Sequence, residues 1–144
     1  DQSKVFEVVW EQLREGMCIG IFPEGGSHDR TQMLPLKAGV ALMALGAMAK
    51  FPEVDVRIVP TGLTYFRAHR FRSIATVDFG DPITIPRELV EGFTAGGERK
   101  RKASGDLLNM ILKGLLNVTT SAENYETLQL LQMARRLYPA APKK

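Results

Sequence analysis

The residues with chemical promise gather between Met17 and Gly39. Phe22-Pro23-Glu24-Gly25-Gly26-Ser27 sets a carboxylate beside two glycines, and Arg30 and Lys37 follow closely. Glycine takes backbone angles closed to other residues, so successive N–H groups at Gly25 and Gly26 can converge on one anion. Nearby cations and a helix starting at about Lys37 make the same spot favourable for a phosphate. Glu24 opposes such a ligand unless it hydrogen-bonds a hydroxyl or fixes a cation. A ligand with both a phosphate and a hydroxyl, such as a polyol phosphate, accounts for both charges. The plainer role for Glu24 is to brace Arg30 or a backbone N–H.

Other chemistries fit less well. Gly20 to Ser27 has the glycine spacing of a nucleotide-binding P-loop, but Gly26 stands where the lysine must be. That lysine reaches the terminal phosphates, so its loss removes the mechanism. Ser27-His28-Asp29 holds the letters of a hydrolase triad, yet consecutive residues cannot converge in the required line. No Gly-x-Ser-x-Gly elbow is present. His28 reads as a surface or ligand-contacting residue on a polar loop, and His69 lies among arginines. Two histidines and one cysteine, far apart, give no metal spacing, so neither a metal nor a cofactor is expected. Cys18 reads as a small buried hydrophobe, and a single cysteine builds no disulfide framework, which suits a reducing compartment.

These residues are positioned by a series of short elements. Ser3 to Glu15 carries Val5, Val9 and Leu13 on one helical stripe beside Phe6 and Trp10, and Gly16 is a natural stop. Cys18 to Phe22 is expected to be a short buried strand leading into the loop. Leu36 or Lys37 to Lys50 is expected to be a helix, with small residues dense enough to let it lie close against a sheet. Val56 to Phe66 predicts a second strand, in which Pro60 marks an edge, a bulge or an end. Ile74 to Phe79 predicts a third, and Ile83 to Ile85 a short extended piece. Pro86 suits the first position of a helix ending near Phe93. Thr94 to Ser104 is small, polar and basic, and is expected to be a mobile loop. Asp106 to Leu116 predicts an apolar helix. Thr120 to Glu123 has capping-box spacing for a last helix carrying Tyr125, Leu128, Leu131 and Leu137. This order fits an α/β layered domain.

Composition sets the outer bounds. The 144 residues suffice for one domain with a real core, and 44% hydrophobic residues is ordinary for a soluble globular chain. A net charge of +3 argues by itself for neither nucleic acid nor membrane. Two basic groups stand out, Arg67 to Arg72 and Arg99 to Lys102. Such runs are usually solvated surface, and a minority meet phosphates or anionic headgroups. The longest nearly pure apolar run, Ala38 to Ala49, is short of the roughly 20 residues of a spanning helix. Asn117-Val118-Thr119 fits the glycosylation sequon, a pattern common by chance.

Phe22-Pro23-Glu24-Gly25-Gly26 resembles the Phe-Pro-Glu-Gly block of the glycerol-phosphate and lysophosphatidate acyltransferase family. Leu34-Pro35-Leu36-Lys37-Ala38-Gly39 is similar to the sequence that follows that block, and Val59-Pro60 to a later block centred on proline. Within the family, the loop, the stretch Tyr65 to Ser73 and the final helix look like fungal glycerol-3-phosphate/dihydroxyacetone-phosphate acyltransferases. The resemblance implies an α/β acyltransferase-like fold, a layered sheet with flanking helices, whose N-terminal part is missing. Residues 1–138 would be the C-terminal portion of that single domain and 139–144 a disordered tail.

By the same resemblance Glu24 and Gly25 bind the acyl acceptor, and Gly26 matches a variant of the next position. Ser27 stands where many members have arginine. The acceptor's phosphate then needs another cation, for which Arg30 and Lys37 are the physical candidates. The family's His-x4-Asp base is not found: Met33 stands at that spacing from His28, and Ile74 from His69. No catalytic residue is therefore expected in this chain, which by itself should not turn over. The implied reaction moves a fatty acyl group from acyl-CoA, a co-substrate rather than a cofactor, to glycerol 3-phosphate or dihydroxyacetone phosphate. The implied partners are acyl-CoA, a small phosphorylated acceptor and, through a full-length parent, the endoplasmic reticulum membrane, with the domain facing the cytosol; nucleic acid is not among them. The alternatives are a non-catalytic module binding polyanions or lipid headgroups and, within the family, an enzyme using lysophosphatidate.

Overall fold

Helix α1 (Gln2–Arg14) ends where Gly16 turns left-handed at a φ of +79°, and the chain reaches α2 (Gly39–Lys50) through an extended stretch and a long loop. Among the described residues four short strands follow, β1 (Arg57–Ile58), β2 (Thr61–Tyr65), β3 (Ala75–Phe79) and β4 (Ile83–Thr84). Helices α3 (Arg87–Thr94), α4 (Gly97–Val118) and α5 (Tyr125–Leu137) complete the order. The computed structural model describes residues 2–26, 30–65, 71–72 and 75–137. The α/β class matches the expectation, but the sheet is two separate antiparallel ribbons. Strand β1 pairs with β4, and β2 pairs with β3 with Leu63 opposite Val77.

The core is helical. Small residues on α2 let it sit against α1, α3 and α4 rather than against a sheet, which corrects the expected partner. Ala41, Leu45 and Ala47 are fully buried there, and α4 contributes Ala103, Leu107 and Ile111 to the same cluster. Burying a leucine side chain fully is worth about 1.5–3 kcal/mol, so Leu45 and Leu107 anchor the packing. Gly46 makes room for Trp10 of α1: a Cβ there would come within 2.5 Å of the indole ring. The Lys50 ammonium lies 5.8 Å from the same ring and 3.3 Å from the Glu11 carboxylate. The indole body is packed while its Nε1 is buried without a hydrogen-bond partner among the described residues, a cost of about 1–3 kcal/mol.

Four expectations change. Cys18 to Phe22 forms no strand, and Cys18 and Phe22 are exposed, the latter at 78%. A strand needs a neighbour to take its N–H and C=O groups, and neither ribbon pairs with this stretch. Val56 to Tyr65 is two strands, because Pro60 lacks an N–H for a ladder. Pro60 is buried, and its carbonyl instead accepts the Gly80 N–H at 2.8 Å. Phe66 and Ile74, the expected ends of two strands, lie outside the described residues.

The expected loop at Thr94 to Ser104 is mostly the first turns of α4. Gly96, with a φ of +76°, makes the corner between α3 and α4, and Ala103 and Ser104 are buried, Ala103 beside Gly92 of α3. Lys100 lies 4.6 Å from the Phe93 ring, so its basic run decorates a helix face. The last helix is capped by Asn124 rather than by the Thr120 box. The Asn124 Oδ1 accepts the Thr127 N–H at 2.8 Å, as an N-cap side chain does.

Candidate functional site

The loop from Pro23 to Lys37 is closed by hydrogen bonds at its neck. The Gly25 N–H donates to the Phe22 carbonyl at 3.1 Å, making a tight turn over Pro23 and Glu24. The Lys37 N–H donates to the Pro23 carbonyl at 2.8 Å, so the chain leaves the loop beside the point where it entered. Between them, the Leu34 N–H donates to the Glu24 Oε2 at 2.7 Å. Pro35 biases Leu34 away from helical angles, which keeps that N–H out of a helix ladder and open to the carboxylate. On its far side the loop is tied to the α4–α5 connection, where the Ala122 N–H donates to the Thr31 carbonyl at 3.2 Å.

Lys37 folds back over the turn. Its Nζ donates to the Gly25 carbonyl at 3.1 Å, and a Cβ at Gly25 would come within 2.6 Å of the Lys37 side chain. Gly25 has a φ of +66°, so it is glycine on two counts, conformation and room. The ammonium group is exposed and keeps two further N–H donors for an incoming oxygen.

The expected site residues divide into three groups. Glu24, Gly25 and Lys37 are brought together at the neck, with Glu24 half-buried and the other two exposed. Gly26 and Arg30 are exposed on the same loop. Ser27, with His28 and Asp29, lies outside the described residues. The glycine nest differs from its expected form, because the Gly25 N–H is already used by Phe22. The plainer role expected of Glu24, bracing a backbone N–H, is the one seen, although the sequence did not name Leu34 as the donor. Sequence reasoning missed the Thr31–Ala122 tie, which joins residues far apart and carried no signal.

A separate open cavity of about 760 Å³ lies at the other end of α2, lined by Met48, Val54, Ile85, Pro86, Val90 and Ala95 among others. Glu53, Asp55 and Glu91 also border it, with Arg87. Its carboxylates make it a poor place for a phosphate, and no residue of the loop lines it.

Residues 1–64, which include the whole loop, match the family model described as Acyltransferase. The chain belongs to the acyltransferase family. It is 58% identical over 138 residues to glycerol-3-phosphate O-acyltransferase 1 of Saccharomyces cerevisiae, covering 96% of this chain and 18% of that protein. Glycerol-3-phosphate O-acyltransferase 2 of the same yeast is 45% identical over 138 residues, with the same coverage of 96% and 18%. An uncharacterized acyltransferase of Schizosaccharomyces pombe is 49% identical over 141 residues, 98% of this chain and 21% of its own length. The chain thus spans about a fifth of the length of these curated relatives. No solved structure matches it significantly. The resemblance drawn from the Phe22 to Gly39 loop is therefore borne out at the level of the family, an enzyme family of acyltransferases.

Proposed function

We propose that this chain supplies the acceptor-binding part of an O-acyltransferase that moves a fatty acyl group from acyl-CoA to glycerol 3-phosphate or dihydroxyacetone phosphate. The observation that carries the reading is the exposed Lys37 ammonium pinned over the Gly25 turn, inside the family-matched stretch and next to the Glu24 carboxylate. Lys37 and Arg30 draw in the acceptor's phosphate, with Gly26 and Ser27 on the same loop as further contacts. Glu24 holds the loop through the Leu34 N–H and takes the acceptor's hydroxyl in a hydrogen bond. That arrangement orients the hydroxyl, which is worth much of the barrier in a two-substrate reaction.

The chemistry is attack of the hydroxyl oxygen on the thioester carbon, with loss of a proton to a base and release of the CoA thiolate. The family's His-x4-Asp base is not among these 144 residues, so this chain binds acceptor without turning it over. The endoplasmic reticulum membrane is the proposed site of action of the longer protein. Among the described residues no helix is long and apolar enough to cross a membrane.

Calorimetric titration of the 144-residue chain with glycerol 3-phosphate and, separately, with inorganic phosphate tests the reading. Lys37→Ala should weaken both by about tenfold, the ~1.5 kcal/mol of a hydrogen bond to a charged group. Glu24→Gln keeps an oxygen for the Leu34 amide but removes the charge. It should weaken glycerol 3-phosphate while leaving inorganic phosphate equal or tighter. If Glu24→Gln tightened both ligands alike, the hydroxyl contact would be wrong and simple polyanion binding would replace it.

A further inference from the structure

Helix α5 keeps an apolar side uncovered. Leu130, Met133, Ala134 and Leu137 recur at i, i+3, i+4 and i+7, the spacing of one stripe along a helix. All four are exposed, Leu130 at 68% and Leu137 at 75%, whereas Leu128 on another side is half-buried. Among the described residues α5 makes no extensive contact with another helix or strand. Charge is distributed just as unevenly. From Tyr125 onward the sequence carries Arg135, Arg136, Lys143 and Lys144 against Glu126 alone, a surplus of three. That surplus equals the net charge of the whole chain, +3, so the first 124 residues are balanced.

We propose that α5 is a surface-lying membrane helix, which sets its Leu130–Leu137 stripe into an anionic bilayer, drawn there by the positive surplus of residues 125–144. An apolar stripe and a basic complement on one helix is the pattern that binds in the interface plane, and each basic residue near an anionic surface adds to the attraction. At 13 residues α5 is about 20 Å long, too short to span and suited to lie flat. A second copy of the chain fits less well as occupant, because docking two such helices brings their like positive surpluses together. Lipid contact here is independent of the Glu24–Lys37 loop. Its failure would leave acceptor binding untouched.

Co-sedimentation of the 144-residue chain with vesicles decides it, using phosphatidylcholine alone and phosphatidylcholine mixed with phosphatidylserine. The chain should sediment with the mixed vesicles, less so at high salt, and stay in solution with phosphatidylcholine alone. Leu130→Glu with Met133→Glu should reduce binding to the mixed vesicles by at least tenfold, on the order expected for two lost apolar anchors. Arg135→Gln with Arg136→Gln should reduce it by roughly twenty-five-fold, about fivefold per arginine. The altered residues of the first pair are exposed, and circular dichroism should show unchanged helix content in both variants. Equal binding by the parent chain and the Leu130/Met133 variant overturns the proposal, as does absence of binding to either vesicle. A dimer in solution that this variant dissociates would also overturn it, assigning the stripe to a second copy.

Discussion

In the helical core, Leu45 and Leu107 lose all contact with solvent; on the β2–β3 ribbon, Leu63, Tyr65, Val77 and Phe79 share one face and stay exposed. Both regions carry large apolar side chains. They differ in what is available to lie against them. Helix α2 has three helices around it, and its alanines and Gly46 let them approach closely. The ribbon meets α4 through its other face, where Gly62 and Gly80 accept Val118. Alternation along a strand sorts side chains into two faces, but which face is covered depends on the partner. Here the small, polar face is covered and the apolar face is open.

Truncation in the core should show the larger effect. Leu107→Ala removes a fully buried side chain from the junction of α2, α3 and α4. A loss of about 2–5 kcal/mol in unfolding free energy is expected by urea denaturation of the chain. A loss below 1 kcal/mol would mean that α4 does not pack on α2 in solution.

The contact between the two regions should be intermediate in cost. At Gly62 an added Cβ runs into the Val118 carbonyl, which is backbone and cannot swing aside. Gly62→Val should cost about 1–3 kcal/mol, as overpacking does, although valine suits a strand better than glycine. Hydrogen exchange should speed up in β2 and β3 while α2 keeps its protection. Unchanged exchange in the ribbon would place it off α4 altogether.

The same contrast explains what was legible in the sequence. Helices α1 and α2 were readable from periodicity and from their stops at Gly16 and Phe51-Pro52, because those signals are local. The turn at Gly25 was readable for the same reason, from Pro23-Glu24-Gly25 alone. Cys18 to Phe22 reads as a buried strand by composition, yet pairing is a property of the neighbour and not of the stretch. The start of α4 was hidden by Gly96, Gly97 and four consecutive basic residues, whose polarity suggested a loop. What holds them helical is the packing of α4 on α3, with Ala103 beside Gly92, a tertiary contact. At the site, the residue types of Glu24 and Lys37 were visible, but their partners were not. Glu24 chooses the Leu34 amide, ten positions on, and Lys37 the Gly25 carbonyl, twelve positions back.

The smallest effect is expected on the ribbon's open face, and it is the sharpest test of the contrast. Phe79 is 72% exposed and sits opposite Thr61, and its backbone ladder does not depend on the ring. Phe79→Ser should therefore change unfolding free energy by no more than about 0.5 kcal/mol, as surface substitutions do, with a small part lost to lower strand propensity. The larger consequence should be colloidal: an exposed apolar face on a short ribbon invites self-association, so the serine variant should stay monodisperse at higher concentration by light scattering. A destabilisation above 2 kcal/mol would show that the ring is buried in solution, and the open face of the ribbon would then be the inner one.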